Sequence, residues 1–235
     1  MPSGPAGCPP DHRGDSMTTS TQEKPDTNEM RVIHRVFRRE LTALPGLVRR
    51  VPDGETERAE VVARHAEFVL IGLHIHHTGE YENLWPLLLE RAQPSSDLIR
   101  TMQEQHVRVH EHVDRAQELL ATWRRTPTRA TGEEFATALE QLSSALFEHL
   151  DQEERDILPL AEEHVSVEEW GRLGEHGRDS MSRDQLPLMF GAILEEANPD
   201  ERAQMLKLLP PPIRLLMRTL GARQYRSYIS RVRAG

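Results

Sequence analysis

From about residue 29 onward, large apolar side chains recur every three or four positions, the period of one helix face. Ile33, Phe37, Leu41 and Leu44 form the first such face, and the Pro45-Gly46 pair is expected to end it. A second helix is expected from about Glu57 to Ala92, with Val62, Phe68, Val69, Leu73, Leu84 and Leu87 as its apolar positions. Pro86 lacks a backbone N–H, so it should kink this helix or end its regular part. Pro94 to Asp97 is expected to be a loop. A third helix should follow to about Trp123, with Ile99, Met102, Val109, Val113, Ala116 and Leu120 inward. Thr126 to Gly132 is a predicted loop, and a fourth helix is predicted over about Glu133 to Glu163. Four long helices joined by short connections predict an all-α fold, an antiparallel four-helix bundle over residues 29–164.

The flanks differ from the bundle. Residues 1–28 hold Pro, Gly, Ser, Thr and Asp with few large apolar side chains, and too little apolar surface can be buried there to offset the entropy of ordering. This segment is read as disordered, with Met17 as an alternative start. Residues 165–235 are expected to form a helical C-terminal extension. Ser166 and Glu169 make a capping box that opens one helix. Further helices are expected over Asp184 to Ala197, Asp200 to Leu209 and Ile213 to about Val232, separated by Asn198-Pro199 and Pro210-Pro211-Pro212. From residue 201 on, Lys207 and seven arginines face a single acid, Glu201. The extension is read as a solvated helical appendage, and its basic tail as a surface available to a protein partner.

Composition narrows the class. Aromatics make up only 5% of the chain, so the core must be aliphatic, which suits helices. No run approaches the roughly 18 apolar residues of a membrane span, and no apolar leader opens the chain. The single cysteine, Cys8, excludes an internal disulfide and suits a cytoplasmic location. A formal net charge of −9 argues against nucleic acid as a general partner. The unusual feature is 12 histidines, all but one between His34 and His176.

Two segments repeat a pattern. HHTGEYENLWPLL begins at His76 and HLDQEERDILPLA begins at His149. In each, a glutamate follows the histidine by four residues (Glu80 and Glu153), and a Pro-Leu pair starts six residues after the glutamate. Residues i and i+4 share a helix face one turn apart, so each imidazole and carboxylate can ligate one metal or two adjacent ones. His76 is in register with Val69 and Leu73, and His149 with Leu142 and Leu146, which aims both pairs at the bundle interior. Bare carboxylates buried there cost several kcal/mol each unless paired or metal-bound. The other helices offer His34, in line with Phe37 and Leu41, and His106 with His110 at i, i+4. The zinc-protease HExxH and the Glu-x-x-His of ferritin-like carboxylate sites are both absent. His74 and His77 flank the inward face and are expected to support a ligand by hydrogen bonding or to meet solvent. His65, His112 and His164 read as solvated, Tyr81 as packed, and His176 as structural.

The arrangement H…HxxxE…H…HxxxE resembles the hemerythrin-like, or HHE cation-binding, family, in a form of actinobacterial type with a C-terminal helical extension. The resemblance covers about residues 30–163. It implies two iron ions bridged by carboxylates and by an oxo or hydroxo group. The implied ligands are His34, His76, Glu80, His106, His149 and Glu153, with His110 as a further candidate. The fourth helix offers HxxxE in place of the His-to-Asp spacing of oxygen carriers. The lead expectation is therefore a di-iron protein that binds or reacts with peroxide, O2 or NO, in a catalase-like or peroxidase-like step. The alternative is a non-enzymatic sensor, store or carrier of O2, NO or iron. The residues identify no separate catalytic group.

Overall fold

A computed structural model describes residues 23–234 of the chain. The expectations for residues 1–22, including the roles of Cys8 and Met17, lie outside the described residues. Four long helices, α1 (Asn28–Arg49), α2 (Thr56–Asn83), α4 (Ser96–Arg125) and α5 (Arg129–Gln152), form the bundle. Short α3 (Trp85–Arg91) and α6 (Leu158–His164), each with its proline in the first turn, prolong α2 and α5. Helix α1 packs against α2 and α5, and α4 packs against the same two, so the helices form an up-and-down ring. The described residues contain no strand, and no helix among them is long and apolar enough to cross a membrane.

Several boundaries differ from expectation for identifiable reasons. Pro45 does not end α1 but sits inside it. The carbonyl of Leu41, which Pro45 cannot bond, lies 3.4 Å from the Ser143 hydroxyl on α5, whose shorter bond of 2.7 Å goes to Leu139 O. The turn after α1 falls instead at Asp53-Gly54, where Gly54 takes φ 80°, a left-handed conformation that favours glycine. Helix α5 starts within the expected loop, because the Thr128 side chain accepts from Thr131 N and caps it. The expected fourth helix is also interrupted. Residues Glu153–Ile157 form a π-turn before Pro159, while α2 breaks at Leu84 before Pro86. Both irregularities begin at or just after the repeated glutamate, as proline removes the regular helical bond from the preceding turn.

The apolar core falls into two clusters. One, around Leu41, Leu73, Trp123, Leu139 and Leu146, fills most of the bundle. The other, around Leu84, Trp85, Ile99, Met102 and Ile157, fills one end. On each bundle helix the sequence passes from one cluster to the other across a short polar gap. The gap lies between Met30 and Val36 on α1, and between Leu73 and Leu84 on α2. On α4 it lies between Met102 and Val109, and on α5 it runs from Leu150 to Ile157. The histidines and glutamates of the repeat occupy this shared layer.

The C-terminal extension packs on the bundle. Helix α7 (Val167–Asp179) lies on α2 and α8 (Leu186–Glu196) on α1. After α9 (Pro199–Lys207) and α10 (Pro211–Leu216), α11 (Ala222–Arg233) returns against α8 and α2. The expected last helix is broken by a π-turn at Met217–Gly221. The capping box of Ser166 and Glu169 forms as expected. Arg39 pairs with Glu196 at 2.8 Å and Arg35 with Glu201 at 2.6 Å, which ties α1 to the extension. His65 is not solvated. It is 2% exposed, with Nε2 3.1 Å from Glu40 Oε2 and Nδ1 2.9 Å from the Tyr228 hydroxyl of α11. The extension covers it, which the register of α2 alone does not reveal.

Candidate metal centre

The polar layer brings His34, His76, Glu80, His106, His149 and Glu153 together. Two groups of ligand atoms form, each spanning no more than 4.8 Å: His34, His76, Glu80 and Glu153 in one, and His77, Glu80, His106 and His149 in the other. Glu80 belongs to both. Its Oε1 lies 3.1 Å from His76 Nε2 and its Oε2 lies 3.2 Å from His106 Nε2, one oxygen toward each group. Glu153 also spans the pair, with Oε2 3.4 Å from His34 Nε2 and 3.6 Å from His149 Nε2. One carboxylate per repeat thus faces both groups, the placement a bridge between two ions needs.

These groups are buried without ordinary partners. His34 Nε2, His76 Nε2, His77 Nε2 and all four carboxylate oxygens of Glu80 and Glu153 are buried and accept or donate no hydrogen bond. Buried polar atoms are nearly always paired, so a convergent set of orphans calls for a bound partner. Burial pushes both carboxyls up, to about 8, and the negative charge of Glu80 adds to the rise at Glu153. Burial likewise drives His76, His77 and His149 well below their ordinary range, and His106 to about 4. These four histidines are therefore held neutral, the form that ligates a metal. A cation would offset the burial of both carboxylates. The donor set of imidazoles and carboxylates fits iron, manganese or zinc.

Outer hydrogen bonds orient the rings. His149 Nδ1 lies 3.2 Å from Gln105 Oε1, and Gln105 in turn donates to Gln152 Oε1 at 2.7 Å. His34 Nδ1 donates to Glu154 Oε1 at 3.0 Å. Burial opposes ionisation of Glu154, but the His34 bond and the Arg38 charge outweigh it and keep its pKa low. Each Nδ1–H so engaged fixes the tautomer and leaves Nε2 facing the centre.

Three contributors escaped the sequence reading. His77 was expected beside the site, yet it joins the second group, its ring stacked 4.2 Å from that of His106. Neighbouring helical residues diverge by about 100°, and two sites set side by side across α2 can receive both His76 and His77. The doubled histidine was the available signal. Gln105 and Glu154 stand next to His106 and Glu153 in sequence but carry no motif of their own. His110 is not part of either group: it is 59% exposed at its side chain and lies 3.9 Å from Asp114. Tyr81 is 44% exposed, with its ring 5.6 Å from that of His106. His176 lies over α2, its Nδ1 3.2 Å from Glu82 and its ring against Gly79.

No curated protein and no solved structure matched the chain. The hemerythrin HHE cation binding domain matches residues 26–161, more than half of the chain and the whole of the layer just described. The chain therefore belongs to the hemerythrin HHE cation-binding family, whose helical bundle binds metal, typically iron.

Proposed function

We propose that the protein is a non-haem di-iron protein that reacts with peroxide, O2 or NO. The observation that carries this reading is the pair of four-residue groups sharing Glu80, with their buried ligand atoms unpartnered. His34, His76 and Glu153 would hold one iron, His77, His106 and His149 the other, and Glu80 would join both. Bound iron supplies one-electron redox chemistry and open coordination positions. The protein's part is to keep His76, His77, His106 and His149 neutral through burial, to orient His34 and His149 through Glu154 and Gln105, and to exclude bulk water. A self-contained reaction for such a site is peroxide disproportionation. One H2O2 is oxidised to O2 while a second is reduced to two waters, so no further reductant is needed.

The test is anaerobic ferrous loading of the full chain, metal analysis, oxidation in air and an optical spectrum in the oxo-bridged ferric region, followed by oxygen evolution from added peroxide. Two irons per chain with oxygen release support the reading. Two irons without turnover would move it to the sensor or store class. Zinc binding without iron uptake would overturn it.

A further inference from the structure

A cavity lies between the bundle and the extension. It has a volume of about 260 Å3, with floor residues from α1 and α2 and walls from α7, α8 and α9. The lining is apolar apart from Glu29, His76 and Arg178. His76, a candidate metal ligand, stands in the floor, so the cavity and the metal centre share a wall.

Three features distinguish this space from loose packing. The first is size: an apolar cavity of about 150 Å3 admits benzene, so this one suits a larger hydrocarbon body. The second is the methionines. Met30, Met181, Met189 and Met205 line it, half of the eight in the chain, and their unbranched side chains adapt to a guest's shape. The third is a bare wall on α7. Gly174 and Gly177, one turn apart, both face the cavity, and a Cβ on Gly177 would meet nothing within 4 Å. A side chain at Gly177 would have open space to fill.

We propose that this cavity binds a medium-sized lipid-like molecule, an aliphatic chain with an oxygen-bearing head, whose head lies toward His76. Burial raises the pKa of the Glu29 carboxyl at the wall, against the lowering effect of a hydrogen bond from Trp170 and of the Arg178 charge. Leu208, at the rim, is 74% exposed and offers apolar surface at the entrance. The placement of the head, but not the binding itself, rests on the di-iron reading above.

The test uses the full chain with N-phenyl-1-naphthylamine, a fluorescent apolar probe, and its displacement by decanoic acid. Probe fluorescence should rise on binding to metal-free wild type and fall as decanoate is added. Gly177→Leu, which fills the cavity from its open wall, should weaken probe binding at least tenfold, with melting temperature and iron content unchanged. Gly171→Leu, on the same helix but outside the lining and equally free of neighbours, should bind as wild type does. No probe binding by wild type, or equal binding by wild type and Gly177→Leu, overturns the proposal. Equal loss in Gly171→Leu also overturns it. In iron-loaded protein, decanoate should shift the ferric optical bands. An absence of iron would sink the di-iron reading while leaving probe binding intact, so the two failures are distinguishable.

Discussion

The Nε2 atoms of His106 on α4 and His149 on α5 approach to 2.9 Å inside the bundle. With both rings neutral, only one can donate to the other, and neither finds a second partner at that nitrogen apart from the nearby carboxylates Glu80 and Glu153. A metal would turn two facing lone pairs into two ligands. His106→Ala and His149→Ala should each lower iron content to one per chain or less, whereas His110→Ala should leave it at two. Metal analysis of the purified variants checks this. Equal iron loss in all three would place His110 at the centre after all.

His77 gives a sharper test of the two-group arrangement. His77→Ala should reduce iron toward one per chain and leave the group formed by His34, His76 and Glu153 loaded. Full retention of two irons in that variant would remove His77 from the ligand set.

The hydrogen bonds behind the ligands should matter less than the ligands, but measurably. Glu154→Ala frees the His34 ring to turn, and Gln105→Ala does the same for His149. Loss of such supporting partners typically costs 10–100-fold in metal affinity. Competition against a chelator should show weakening of about that size with stoichiometry retained.

Burying Glu80 and Glu153 serves binding at the expense of the metal-free fold. Replacing Glu80 with Leu should stabilise the metal-free protein, by about 1–4 kcal/mol on the precedent of buried charges exchanged for apolar groups, and abolish iron uptake. Urea unfolding in excess chelator would show a higher midpoint for Glu80→Leu. A lower midpoint would mean that the carboxylate is satisfied without metal.

The bond between Glu40 and His65 predicts an acid-sensitive contact with the extension. Burial raises the Glu40 carboxyl, but the His65 hydrogen bond and the Arg39 charge outweigh it and bring it to about 2, against an ordinary 4.5. Arg233 of α11 also approaches, at 3.7 Å. A depressed carboxylate contributes stability that is present above its unfolded value and lost as pH falls through its folded one. The contribution, on the order of 3 kcal/mol, should therefore disappear between about pH 4.5 and pH 2. Glu40→Gln should be less stable than wild type at pH 6, and the gap should narrow at pH 3.5. A gap independent of pH would show that shape rather than charge holds this contact.

Much of the bundle is written in local pattern. The spacing of Ile33, Phe37, Leu41 and Leu44, and its counterparts on the other helices, identifies four amphipathic helices, because a face repeating at 3.6 residues can be buried only against other helices. The two HxxxE repeats place His76, Glu80, His149 and Glu153 on inward faces for the same reason. Pro45 was misleading because its missing bond is a local signal, whereas the Ser143 hydroxyl that approaches Leu41 O comes from another helix.

The sequence by itself determined the helical period, the apolar faces and the repeated His-Glu pairs, since each depends on residues within two turns of one another. Only the tertiary structure decided that His77 joins His106 and that His110 faces solvent. It also decided that His65 is covered by Tyr228, and that the extension closes a cavity over His76. Each of these depends on how helices distant in sequence rotate and pack, and a periodic pattern leaves that rotation free by the width of a residue.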